Sequence, residues 1–113
     1  MRWRLPRLTD KTVTDVAALA DLVAAAKANG FAVDDEEYLD GCRCVAVPLT
    51  SEAGGGMHAA LSVTMPTART DAEWPGSILW PLVAAAQEIR AHLGVREPHI
   101  VVPVPDRDAA RSA

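Results

Sequence analysis

Apolar and polar positions alternate along this chain with two periods, and the change from one to the other marks its elements. Across 14–29, TDVAALADLVAAAKAN, the residues Val16, Leu19, Val23 and Ala26 recur at helical spacing and form one apolar stripe. Thr14 is the expected N-cap, with Asp15 favouring the positive helix end. Asn29-Gly30 is the expected stop, because glycine takes the left-handed C-terminal conformation without steric cost. The period then shortens to two. Phe31 to Val33 predicts a short strand, Cys42 to Leu49 a second one ended by Pro48 and a turn region, and Met57 to Met65 a third closed by Pro66. SEAGGG, 51–56, reads as a flexible hairpin connection. From Asp71 the helical period returns, with Ile78, Leu82, Ala85, Ile89 and Leu93 on one stripe and Gly94 as the end. Pro81 lies inside that pattern and predicts a kink or a fresh helix start. The expected fold class is α+β, with a mainly antiparallel sheet and two flanking helices. Residues 1–94 form the expected domain, and 95–113, with three prolines and a polar end, read as an extended or disordered tail rather than core.

Strand alternation then sorts side chains by face. One face of the second strand carries Arg43, Val45, Val47 and Leu49, and the other Cys42, Cys44 and Ala46. One face of the third strand carries Ala59, Leu61, Val63 and Met65, and the other Ala60, Ser62 and Thr64. The apolar faces suit packing against the helices. The faces of small residues with thiol and hydroxyl groups are either a solvated outer surface or, if paired strands align them, a pocket floor. Composition alone favours the solvated surface.

Composition narrows the function classes. The chain of 113 residues has room for one small domain, and its net charge of −4 argues against a nucleic-acid-binding surface. No segment approaches the roughly 18 apolar residues of a membrane span. The N-terminus MRWRLPRLT has no apolar stretch of a signal peptide, so the cytosol is the expected compartment and Cys42 and Cys44 are expected as thiols. A zinc centre needs four ligands, or three and a water, and Cys42, Cys44, His58, His92 and His99 stand at no recurrent ligand spacing. No cofactor is expected. Cys44 as a nucleophile would need a base, for which His58 is the nearest candidate, and enzyme catalysis is not expected. In the acidic run Asp34–Glu37 most charges read as a solvated turn, with Asp34, at the end of its strand, best placed to face inward.

A family resemblance rests on these same residues. From Gly30 to Leu49, GFAVDDEEYLDGCRCVAVPL resembles the signature of the IclR family of bacterial transcriptional regulators, matching at Gly30, Asp34, Glu37, Cys44, Val45, Ala46 and Leu49. Thr50 and Ser51 depart from the aromatic and Asp or Asn that usually close it. The flanks LPRLTDKTVTDVAALADLVAAAKANGFAVDDEE, AALSVTMPTAR and LWPLVAAAQEIRAHLG are similar to the family's stretches before and after the signature, so the resemblance runs from about Leu5 to Gly94. It implies a GAF-like effector-binding domain that senses a small organic or aromatic acid. Its implied ligand contacts are Asp34, Cys44, Ser62 and Thr64, with Thr64 where the family usually has Ser. It also implies that the winged-helix DNA-binding domain and the first half of the effector domain lie outside this sequence, leaving a partial GAF-like domain without direct contact to DNA. The expected partners are a small effector and other copies, as a homo-oligomer or a heteromer with full-length relatives. The alternative expectation is an oligomerisation module or an inactive truncated fragment.

Overall fold

The computed structural model describes residues 5–50, 58–95 and 100–103. In chain order it contains helix α1 (Val16–Asn29), strands β1 (Ala32–Asp35), β2 (Cys42–Thr50) and β3 (Ala59–Pro66), a short 3-10 turn (Thr67–Arg69) and helix α2 (Gly76–Leu93). The three strands form one antiparallel sheet in the order β1-β2-β3, so the fold is α+β as expected. The hairpin segment 51–56 lies outside the described residues.

The core forms where α2 lies on the sheet. Val45 and Val47 of β2 pack against Leu79, Leu82, Val83 and Ala86 of α2, and all six are buried. Leu61 and Val63 of β3 flank them, since the register pairs Val45 with Val63 and Val47 with Leu61. Burying a Val or Leu side chain stabilises by roughly 1.5–3 kcal/mol, so this patch is the main favourable term for so small a domain. The buried stripe 79, 82, 83, 86 keeps helical spacing but sits one residue round from the expected Ile78–Leu82–Ala85–Ile89–Leu93. The helix is apolar over more than one stripe, and contact with β2 selects between them. Pro81 neither breaks nor restarts α2: the helix runs through it, and Pro81 itself is exposed. The start differs from Asp71 as well, because 71–75 forms turns and Ser77 Oγ donates to Asp71 Oδ1 at 2.9 Å.

Helix α1 departs from expectation in its packing. Its N-cap is Asp15, not Thr14: the carboxylate accepts from the Ala17 and Ala18 N–H groups at 3.3 Å each. Gly30 ends it with φ 82°, as the Asn-Gly stop predicts. Yet α1 buries no residue, and Val16, Leu22 and Val23 are 52%, 49% and 60% exposed. Of the two helices only α2 packs on the apolar face of the sheet. Gly30 has a second role, because a Cβ there would stand 2.1 Å from the Val101 carbonyl oxygen. The segment 100–103, read from sequence as part of a tail, instead runs against this glycine and sets Val102 on the core. Among the described residues no helix is long and apolar enough to cross a membrane.

This asymmetry fixes where truncations hurt. Leu82→Ala is expected to lower the unfolding free energy by about 2–5 kcal/mol, whereas Leu22→Ala on α1 stays within about 0.5 kcal/mol. Urea denaturation followed by circular dichroism checks both. Equal losses at the two sites would contradict a core confined to the α2 face.

Candidate functional site

The register that builds the core also assembles the opposite face. Asp34 pairs with Cys44, and Cys44 with Thr64, so these three stand in one row across β1, β2 and β3. The next row holds Ala32, Ala46 and Ser62. All four sequence candidates therefore share the face that α2 leaves uncovered, on adjacent rows. Ser62 and Thr64 are exposed, and Asp34 and Cys44 half-buried. At the usual strand spacing the row from Asp34 to Thr64 spans about 10 Å.

Chemically the row offers hydroxyl donors on β3, a thiol in the middle and a carboxylate on β1. One Asp34 oxygen is engaged: Oδ1 accepts from the Glu37 N–H at 2.8 Å, which fixes the carboxylate over the turn that leaves β1. Cys44 and Cys42 are free thiols. His58 precedes β3 at the end far from Cys44; six residues separate it from Thr64, the partner of Cys44, or about 20 Å of strand. The sequence pairing of Cys44 with His58 as nucleophile and base is therefore not assembled. Among the described residues no three His, Cys, Asp or Glu side chains gather in a group that could hold a metal ion.

The acidic run is organised where a solvated turn was expected. Asp35 accepts from Arg43 Nε at 2.8 Å and lies 3.7 Å from Lys11 Nζ. Glu36, with φ 60°, pairs with Lys11 Nζ at 3.1 Å and accepts the Gly41 N–H across the hairpin turn. Thr9 Oγ1 donates to the Glu36 carbonyl at 2.6 Å, and Thr12 Oγ1 to that of Glu37. Arg43 also donates to Thr70 Oγ1 at 2.7 Å and lies 4.3 Å from the centre of the Trp74 ring. Asp35 and Glu36, read as plain loop, are thus the middle of a chain of contacts from the N-terminal segment to the approach of α2. The signal for Arg43 was present in its alternation: a lone cation on an otherwise apolar strand face needs a partner. Nothing local announces that Thr9 and Thr12 reach the Glu36 and Glu37 carbonyls, more than twenty residues away.

Towards its other end the sheet runs into a cleft of about 680 Å³. It lies between the second half of α1 (Val23, Ala26, Lys27), the small residues Ala46 and Ala60 on the sheet, and Val101. None of the four candidate residues is among those lining it. Sequence reasoning did not find this cleft, because alanines scattered over three elements give no local pattern.

With this geometry in view, the relatives are informative. The chain is similar to bacterial transcriptional regulators, not enzymes. It is 36% identical over 94 residues to the HTH-type transcriptional regulator BhcR of Paracoccus denitrificans, an alignment covering 83% of this chain and 33% of that one. It resembles the crystal structure of the C-terminal domain of Escherichia coli KdgR with a TM-score of 0.69 at 33% identity, over 81% of this chain and 56% of that one. It also resembles the inducer-binding domain of PobR from Acinetobacter, solved as a double mutant with 3-hydroxybenzoic acid, with a TM-score of 0.68 at 27% identity, over 79% of this chain and 51% of that one. Residues 1–91 match the family described as bacterial transcriptional regulator IclR C-terminal, and the chain belongs to that family. It spans about a third of the length of the curated relatives it matches.

The ionised turn makes the fold sensitive to acid. The Arg43 hydrogen bond holds Asp35 below its ordinary carboxylate range, and the Gly41 N–H, then Lys11, does so for Glu36. A carboxylate depressed in the folded chain favours folding above its unfolded value. The contribution is therefore present above about pH 4 and lost as pH falls through the depressed values. Melting temperatures of the wild type and of Asp35→Asn/Glu36→Gln between pH 7 and pH 2 are expected to differ at pH 7 and converge in acid. Parallel profiles would show that these ion pairs do not couple to folding.

Proposed function

We propose that this chain is the C-terminal part of an effector-sensing domain of an IclR-type transcriptional regulator, acting in the cytosol. Its effector is a small hydroxy acid that lies across the open sheet face. The observation that carries this reading is the single row Asp34–Cys44–Thr64 with Ser62 beside it, on the face that α2 leaves uncovered. The likeness to a PobR inducer-binding domain crystallised with 3-hydroxybenzoic acid supports it.

The chemistry orients such a ligand. Hydroxyls donate to a carboxylate, so the acid group lies at Ser62 and Thr64 on β3, with the Cys44 thiol as a weaker donor. Asp34 is an acceptor when ionised and repels a second bare carboxylate, so it takes the ligand's hydroxyl with its oxygen not bound to the Glu37 N–H. A row of about 10 Å suits a rigid hydroxy acid with its two groups at opposite ends. DNA contact belongs to another part of such a regulator; a net charge of −4 favours none here.

Calorimetric titration of the folded chain with 3-hydroxybenzoate, benzoate and a set of aliphatic hydroxy acids tests the reading. Binding of at least one hydroxy acid is expected, with Thr64→Val, Ser62→Ala and Asp34→Asn each weakening it by roughly 10- to 150-fold, the worth of one hydrogen bond to a charged group. Asp34→Asn should narrow the preference for the hydroxylated acid over its parent. A folded chain that ignores the whole set, or binding indifferent to these substitutions, would overturn it.

A second reading, assembly with further copies or with full-length relatives, is favoured by one observation: α1 buries none of its residues and exposes Val16, Leu22 and Val23. It expects a mass by light scattering that rises with concentration and falls when Leu22 and Val23 are both changed to Ser. A monomer at every concentration would remove it.

A further inference from the structure

We propose that the cleft between α1 and the far end of the sheet is a second small-molecule site, for a monocarboxylate with an apolar body. This goes beyond the hydroxy-acid row, which it adjoins on the same sheet face: Ala32 and Ala46 line the near edge of the cleft in the row of Ser62, while Pro48, deeper in the cleft, lies four residues from Cys44, or about 13 Å along β2. The volume of about 680 Å³ falls within the usual range for bound small molecules, roughly 300–1,000 Å³. Its body is apolar, built from Val23, Ala26, Phe31, Ala46, Ala60 and Val101.

Charge selects the occupant. The chain as a whole is acidic, with 15 Asp and Glu against 11 Lys and Arg. Yet among the described residues no Asp or Glu lines the cleft, and the ionisable side chains there are Lys27 and His58. Lys27 has no ion pair among the described residues, in contrast to Lys11. An ammonium and an imidazole on an otherwise apolar cleft offer donors to one anionic group, and the imidazole can donate in either protonation state. The complementary ligand has a carboxylate at Lys27 and His58 and an aliphatic or aryl body on the alanines. A two- or three-carbon acid leaves most of the cleft empty. The cleft also has a fixed end, because the absent side chain of Gly30 lets the main chain at Val101 close on it.

The test uses octanoate as probe, with acetate and 1-octanol as controls, titrated into the folded chain by heteronuclear NMR. Octanoate is expected to bind and to shift the amides of Ala26, Ala46 and Ala60, with acetate and 1-octanol each at least tenfold weaker. Lys27→Gln is expected to weaken octanoate about tenfold and His58→Gln about threefold, while Ala60→Phe, at an exposed position, abolishes binding by filling the cleft. Lys27→Gln and His58→Gln leave binding of a hydroxy acid at the Asp34–Thr64 row unchanged, and Thr64→Val leaves octanoate unaffected, so the two sites fail independently. The proposal is overturned if octanoate does not bind, if 1-octanol binds as well as octanoate, or if Lys27→Gln and Ala60→Phe leave its affinity unchanged.

Discussion

Helix α2 covers the sheet on one side only, and strand geometry makes that single contact decide both faces. Successive side chains in a strand point to opposite sides, so burying Val45 and Val47 against Leu79, Leu82, Val83 and Ala86 commits Cys44 and Ala46 to the other side. The antiparallel register carries the same choice to β1 and β3, bringing Asp34 and Thr64 alongside Cys44. A one-residue slip of either neighbour would place its polar groups on the core. The candidate binding row is thus a by-product of the core, held as firmly as the core itself.

That dependence explains what the sequence made legible. Period-two alternation in β2 and β3 separated the apolar from the polar faces correctly, because one side of each strand is buried and the other is not. The signature residues then tied Asp34 to the same face. The packing of α1 was not legible. An apolar stripe at helical spacing says that Val16, Leu19 and Val23 can be buried, not that a surface exists to bury them, and here α2 occupies the sheet face that carries Val45, Val47, Leu61 and Val63. The shift of the α2 stripe has a related cause: where several stripes are apolar, the choice is made by β2, far away in sequence. The acidic turn was misread for a third reason. Four consecutive acids look solvated when read alone, but Arg43 reaches Asp35 from 8 residues away and Lys11 reaches Glu36 from 25.

The charged contacts act as a clasp at one end of this half-covered sheet. Thr9, Lys11 and Thr12 hold the acidic turn from the N-terminal side, and Arg43 joins that turn to Thr70 and Trp74 on the way to α2. Exposed ion pairs contribute little individually, about 0–1 kcal/mol, but here they are in series with hydroxyl-to-carbonyl bonds. Asp34 leaves β1 directly before this clasp, and its carboxylate is fixed by Glu37 within it. The position of one proposed ligand contact therefore rests on the N-terminal segment at Thr9–Thr12 and on the approach to α2 at Thr70 and Trp74. At the opposite end of the sheet, Gly30 and the Val101 main chain perform the corresponding closure with no charge at all.

β3 lies at the margin of the sheet, and among the described residues no strand pairs with its outer side. Its sequence, AALSVTMP, contains no lysine, aspartate or glutamate. Charges on a marginal strand are the usual protection against joining sheets edge to edge, and here only the terminal proline offers any. Among the described residues, the backbone groups that β3 turns away from β2 have no strand beside them, so this edge rather than the overall charge is where another sheet can join.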